Sequence, residues 1–169
     1  MTSTVVGGRR LWLRLLEPRD ANLLRRFFWR LSSESVYRRF MAPIKAPSDA
    51  LVARLVDIDH CDREALIALD DRGIVGVARY GTAGATHDVA VVVADDWQSR
   101  GIGALLLRRL ANIARARGIT SFHATMLGDN RQAQSLVLGL SPKTKIRFEA
   151  GYLEADIPLK TRGNLSELD

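Results

Sequence analysis

Hydrophobic positions along the chain change their spacing several times, and each change marks a predicted element. Residues 11–16 read as a short strand, after which Pro18 and Asp20 supply a turn and an N-cap for a helix over 21–30. Ser32, Ser33 and Glu34 form a capping signal before Val36, Tyr37 and Phe40, and Pro43 and Pro47 end that helical piece. Ser48 or Asp49 can cap a third helix, in which Leu51, Leu55 and Ile58 share a face. The period then shortens. Residues 65–69 and 74–80 read as a hairpin about a turn at 70–73, followed by a loop at 81–86. Residues 89–94 form an almost unbroken β-branched run, the pattern of a central strand covered on both faces. The strongest helix lies at 101–117: Ile102, Leu105, Leu106, Leu110 and Ile113 make one apolar stripe, Arg115 and Arg117 suit the carbonyl end, and Gly118 stops it. A strand at 121–127, a helix capped by Asp129 or Asn130 and reaching about 138, and a hairpin of 144–150 with 152–159 complete the pattern.

The chain has 169 residues, 47% hydrophobic and 26% charged. That fits one globular domain of ordinary composition and excludes fibrous and disordered classes. The domain is expected over 11–159, between a flexible N-terminus at 1–10 and a C-terminal tail at 160–169. No stretch approaches the roughly 18 apolar residues that cross a bilayer, and residues 1–10 lack the apolar run of a leader, so the expected location is cytoplasmic and off the membrane. A single cysteine, Cys61, closes no disulfide within the chain, and histidines at 60, 87 and 123 offer no metal-ligand spacing, so no metal is expected. The net charge of +6 is carried by residues 1–57, which hold 11 basic and 5 acidic side chains. Only four of the 25 basic residues are lysines, a skew that arginine-rich codons produce unaided, and the distribution argues against nucleic acid as the partner.

The feature that rises above fold class is Gln98-Ser99-Arg100-Gly101-Ile102-Gly103-Ala104, between the most buried strand and the strongest helix. Glycines where a strand turns into a helix let successive backbone N–H groups point outward, at the end that carries about half a positive charge. Such a loop binds phosphate. It is no dinucleotide fingerprint, since position 106 is Leu106 where a third glycine would stand, and it lacks the Gly-Lys-Ser/Thr of a P-loop.

The segment matches the Q/R-x-x-G-x-G/A signature and so resembles the GNAT superfamily of acyl-CoA N-acyltransferases. The element order resembles that family's over about nine tenths of the chain. Arg25-Arg26-Phe27-Phe28, Val36-Tyr37-Arg38-Arg39-Phe40 and the run from Val89 to Val93 with Asp95-Asp96-Trp97-Gln98 look like the acetyltransferase module of bacterial protein lysine acetyltransferases. The resemblance implies an α/β fold with a mixed, mostly antiparallel sheet, splayed at its central strands and flanked by helices on both faces. It also implies acetyl-CoA as cosubstrate, with the diphosphate on the N–H groups of Ser99, Arg100, Gly101, Ile102, Gly103 and Ala104. Gln98 belongs to the same signature, the Arg100 side chain would add a phosphate contact, and the pantetheine arm would run along the backbone of Val91, Val92 and Val93. Asn130 matches a position that contacts the cofactor in this family, and a helix cap explains it equally well.

The resemblance implies direct transfer to an amine, with a protein bearing an accessible lysine as the first expectation. A small-molecule amine and a non-catalytic CoA-binding module are the alternatives. A lysine has an unperturbed pKa of about 10.4, so the reaction needs a base or desolvation to expose the free amine. Asp88, ten residues before Gln98, stands where the lysine acetyltransferase modules usually place glutamate. His87 and His123 are its rivals. Where many members carry a tyrosine as general acid this chain has Val137, which leaves Tyr80, Tyr152 and water as substitutes. The arginines at 25, 26, 30, 38 and 39 on the early helices would suit an acidic acceptor surface.

Overall fold

The computed structural model describes residues 1–159. Eight strands form one sheet in the order β1-β2-β3-β4-β5-β6-β8-β7. They are β1 (Thr2–Val6), β2 (Arg9–Leu15), β3 (Arg63–Asp70), β4 (Gly73–Ala83), β5 (Thr86–Val93), β6 (Ser121–Leu127), β7 (Lys145–Glu149) and β8 (Tyr152–Pro158). Every neighbouring pair is antiparallel except β5 with β6, which run parallel and meet at a single bridge, Asp88 to His123. Beyond that bridge the two strands part, so the sheet is splayed at its centre as the resemblance implies.

Five helices cover it: α1 (Ala21–Phe28), α2 (Ser33–Phe40), α3 (Asp49–Val56), α4 (Ile102–Ala116) and α5 (Arg131–Leu140). Adjacent β4 residues show that both faces are used. Arg79 donates to the Leu55 carbonyl of α3 at 3.2 Å, whereas the Tyr80 hydroxyl accepts from Arg117, just past α4, at 2.7 Å. Alternation along a strand puts α3 and α4 on opposite sides. Of the stripe read from the sequence, α4 buries Ile102, Leu106 and Leu110, each at most 1% exposed, while Leu105 and Ile113 stay partly exposed and Leu107, Ala111 and Ala114 complete the buried face. A Cβ at Gly76 would stand 2.9 Å from Leu106 Cδ1, so the missing side chain lets α4 sit down on β4. No helix among the described residues is long and apolar enough to cross a membrane.

Three sequence expectations change. Thr2–Val6 pairs with β2 as a strand where a flexible terminus is predicted; Gly7 and Gly8, both at positive φ, supply the turn. The predicted loop at 81–86 narrows to a tight turn at Gly84, because β4 and β5 stay paired out to Ala83 and Thr86. The helix predicted from Ala21 begins with a short 3-10 turn at Pro18–Asp20, and Asp20 is buried against Arg14 at 2.6 Å. The expected tail at 160–169 lies outside the described residues.

Candidate active site

The site is built where β5 ends. Ala94 to Trp97 form a short turn, Ser99 and Gly101 adopt positive φ (59° and 81°), and α4 begins at Ile102. None of the six N–H groups from Ser99 to Ala104 has an acceptor among the described residues; the first backbone bond of the helix comes from Leu105, to the Gly101 carbonyl at 3.0 Å. Four orphan N–H groups, here those of Gly101 to Ala104, are normal at a helix start, and Ser99 and Arg100 before them extend the unpaired run. Nothing lies within 4 Å of where a Cβ on Gly101 would stand.

This run opens on a cavity of about 720 Å³ between β5, α2, α4 and α5. Val91, Val92, Val93, Gln98, Ser99, Gly101, Ile102, Gly103, Ala104 and Asn130 all line it, so ten of the residues singled out by sequence converge on one space. Because β5 leaves β6 after Asp88, the β6-facing backbone groups beyond that point have no strand partner, and the Val93 carbonyl accepts instead from Gln98 Nε2 at 3.1 Å. The same amide donates to Ser35 Oγ at 3.0 Å, so the Gln98 side chain braces α2 against the strand end. A smaller recess, lined by Val89, Ala90, Val91, Thr125 and Val137, lies between the parting strands. An unpaired donor run beside an unpaired strand edge fits a ligand that is a diphosphate at one end and an extended amide-bearing arm at the other, which is the chemistry of an acyl-CoA.

Other expectations meet a different geometry. Arg100 does not line the cavity: its guanidinium lies 5.4 Å from the centroid of the Trp97 ring, with Nη1 close to Gly7, so its side chain is turned away from the proposed phosphate position. Asp88 is exposed, lines neither space, and accepts from the Thr86 hydroxyl at 3.1 Å. Asn130 fills the capping role, accepting from Ala133 N–H at 3.1 Å, while also standing at the cavity wall. Tyr80 is fully buried against Phe122 on the α4 side and is held by Arg117, which removes it from the substitutes for a general acid.

His123 also loses its claim as a base. Its two ring nitrogens face Asp156 at 3.0 Å and Glu154 at 2.6 Å. Partial burial lowers its pKa, but hydrogen bonds and charge from those two carboxylates outweigh burial and raise it above the usual histidine value. With both ring nitrogens engaged by carboxylates, the ring has no free nitrogen to take a proton from an incoming amine. Glu34, whose carboxylate pairs with Arg38, and Ser32 at the start of α2, which the sequence marks only as a capping signal, also line the cavity. No group of three or more histidine, cysteine, aspartate or glutamate side chains among the described residues is placed to hold a metal ion.

Asp70 stabilises the turn that leads into the loop. Nearly buried, it accepts from Trp97 Nε1 at 3.2 Å and from both terminal nitrogens of Arg30, and Arg30 reaches on to Asp96 at 3.1 Å. These contacts join α1, β3 and the turn before Gln98, and no local sequence signal connects them.

The fold and the unpaired donors define an acyl-CoA-dependent acyltransferase. The family model described as "Acetyltransferase (GNAT) family" matches residues 22–139, and the chain belongs to that family. It is an acetyltransferase with acetyl-CoA as cosubstrate. Among its relatives is an acetyltransferase of Pseudomonas aeruginosa, 34% identical over 139 residues, or 79% of this chain and 75% of that protein. The acetyltransferase Pat of Mycolicibacterium smegmatis is 29% identical over 158 residues, 89% of this chain, and this chain spans about half of it (47%). Among solved structures, the GNAT domain of S. lividans PAT superposes with a TM-score of 0.86 at 29% identity, covering 94% of this chain and 96% of that one.

Proposed function

We propose that this chain acetylates the side-chain amine of a protein lysine by direct attack on the thioester of acetyl-CoA. The observation that carries the donor half is the row of six unpaired N–H groups at Ser99–Ala104, opening on a cavity edged by an unpaired strand. In this reading those donors hold the diphosphate, and the β6-facing backbone groups of Val91 and Val93 orient the arm, while those of Val92 face its β4 partner Val77. One N–H on that edge serves the oxygen on which charge develops. Bound acetyl-CoA supplies an activated acyl group. Asp88 receives the proton of the attacking amine through a bridging water, since its exposed carboxylate sits at the junction where β5 and β6 part. Water, rather than a tyrosine, reprotonates the departing thiolate.

Support for a lysine acceptor comes from the segments at 25–28, 36–40 and 89–98 that resemble lysine acetyltransferase modules, together with the similarity to Pat and to the S. lividans domain. The test incubates the purified chain with labelled acetyl-CoA and either a proteome extract or a panel of small amines. Mass spectrometry should locate acetyl groups on protein lysines. Transfer to small amines alone would replace the protein acceptor with a metabolite.

A further inference from the structure

The cavity wall carries a cationic side chain that none of the acetyl-CoA contacts proposed above uses. Arg39, near the end of α2, lines both the main cavity and the recess between β5 and β6. Its neighbour Arg38 pairs with Glu34 at 2.6 Å, but Arg39 has no ion pair or hydrogen bond with any described residue and rests 4.8 Å from the centroid of the Phe40 ring. Nearby, Arg79 donates only to the Leu55 carbonyl and Arg54 of α3 has no ion pair among the described residues. Loss of water, with repulsion from Arg79 and Arg54, pulls the Arg39 guanidinium down to about 10. Desolvated cations are normally paired, so the partly buried Arg39 and Arg79, with the exposed Arg54 beside them and no carboxylate on any of the three among the described residues, are an incomplete arrangement.

The direction of α2 says which end of the ligand this group meets. Ser35, in the first turn, touches Gln98 at the phosphate loop. Arg39 stands four residues on, about 6 Å along the helix axis, and shares the recess with Val89, Ala90 and Thr125. It therefore stands toward the reacting end. An acceptor arriving there as a bare ammonium would meet repulsion; one that brings an adjacent carboxylate would complete the arrangement.

We propose that Arg39 is a specificity residue that binds a carboxylate next to the acceptor amine, so that the chain selects lysines flanked by glutamate or aspartate. This rests on the lysine-acceptor reading of the same site. A guanidinium can take a carboxylate through two parallel hydrogen bonds, which fixes orientation as well as charge.

The test uses two end-blocked peptides with a central lysine, one flanked by glutamates and one by glutamines, plus a norleucine version of each that binds without reacting. With CoA-saturated wild-type protein, the acidic norleucine peptide should bind about tenfold or more tightly than its glutamine counterpart. In Arg39→Gln that preference should fall to less than about twofold, with acetyl-CoA affinity and thermal stability retained, because removing Arg39 relieves repulsion from Arg54 and Arg79. Equal binding of the two peptides, binding of neither, an unchanged preference in the variant or loss of acetyl-CoA binding in it would each overturn the proposal. Discrimination by binding without acetylation of the lysine peptide would leave the carboxylate site standing and end the lysine reading instead.

Discussion

At the scale of single residues, the loop depends on backbone shape more than on side chains. Gly101 sits at φ 81° with open space around its missing Cβ, so alanine there meets no clash and loses only through left-handed strain. Gly101→Ala should cost roughly 1–2 kcal/mol in chemical denaturation and weaken acetyl-CoA binding in calorimetry; an unchanged affinity would separate the loop's shape from ligand binding. Asp88 is tested through its charge. Asp88→Asn should lower kcat by about 10²–10⁴ with acetyl-CoA affinity unchanged, and full retention of turnover would take Asp88 out of the mechanism. Arg100 illustrates the limit of reading a side chain from its position in a signature. Its backbone lies in the phosphate loop, yet a nearby indole and the turn at Gly7 draw its guanidinium away.

At the scale of elements, two polar clusters tie strands and helices together, and they respond to pH with opposite sign. Burial raises the Asp70 carboxyl, but hydrogen bonds from Arg30, Arg72 N–H and Trp97 outweigh that and hold it below the usual carboxylate value. A lowered folded-state pKa gives stability that is present above the unfolded value of about 3.9 and is lost as pH falls through the folded value. Asp70→Asn should cost about 1.5–3 kcal/mol, because it removes one of the two carboxylates that face the mostly buried Arg30 and leaves only Asp96, and acid unfolding should lose part of its steepness below pH ~4. His123 behaves in reverse. Its raised pKa gives stability that is complete below the unfolded value of about 6.5 and disappears as pH climbs through the higher folded value. An NMR titration should place His123 above that unfolded value, and His123→Gln should flatten the stability profile across the interval; a titration at or below it would refute the clamp formed with Glu154 and Asp156.

At the scale of the whole molecule, α4 does two jobs: its stripe fills the core while its first turn leaves donors free. Leu106→Ala should cost about 2–5 kcal/mol by opening a cavity under Gly76, measured by denaturant unfolding, and acetyl-CoA affinity should hold while the protein remains folded. The amino-acid sequence by itself determined the elements whose signal is local. The period-3.6 stripe at 101–117, the β-branched run at 89–94 and the strand-to-helix glycines depend on neighbours within a few positions, and so does the Asn130 cap. The Thr2–Val6 strand escaped because an exposed, weakly patterned segment gains its stability from pairing with β2, not from its own residues. Only the tertiary structure decided that β5 and β6 part beyond one bridge, that Asp70 grips the turn before the loop, that His123 is claimed by two carboxylates and that Arg39 is left without one. Each of those is a meeting of side chains or strands far apart in the chain, where distance and desolvation set the energy and sequence spacing carries no record of either.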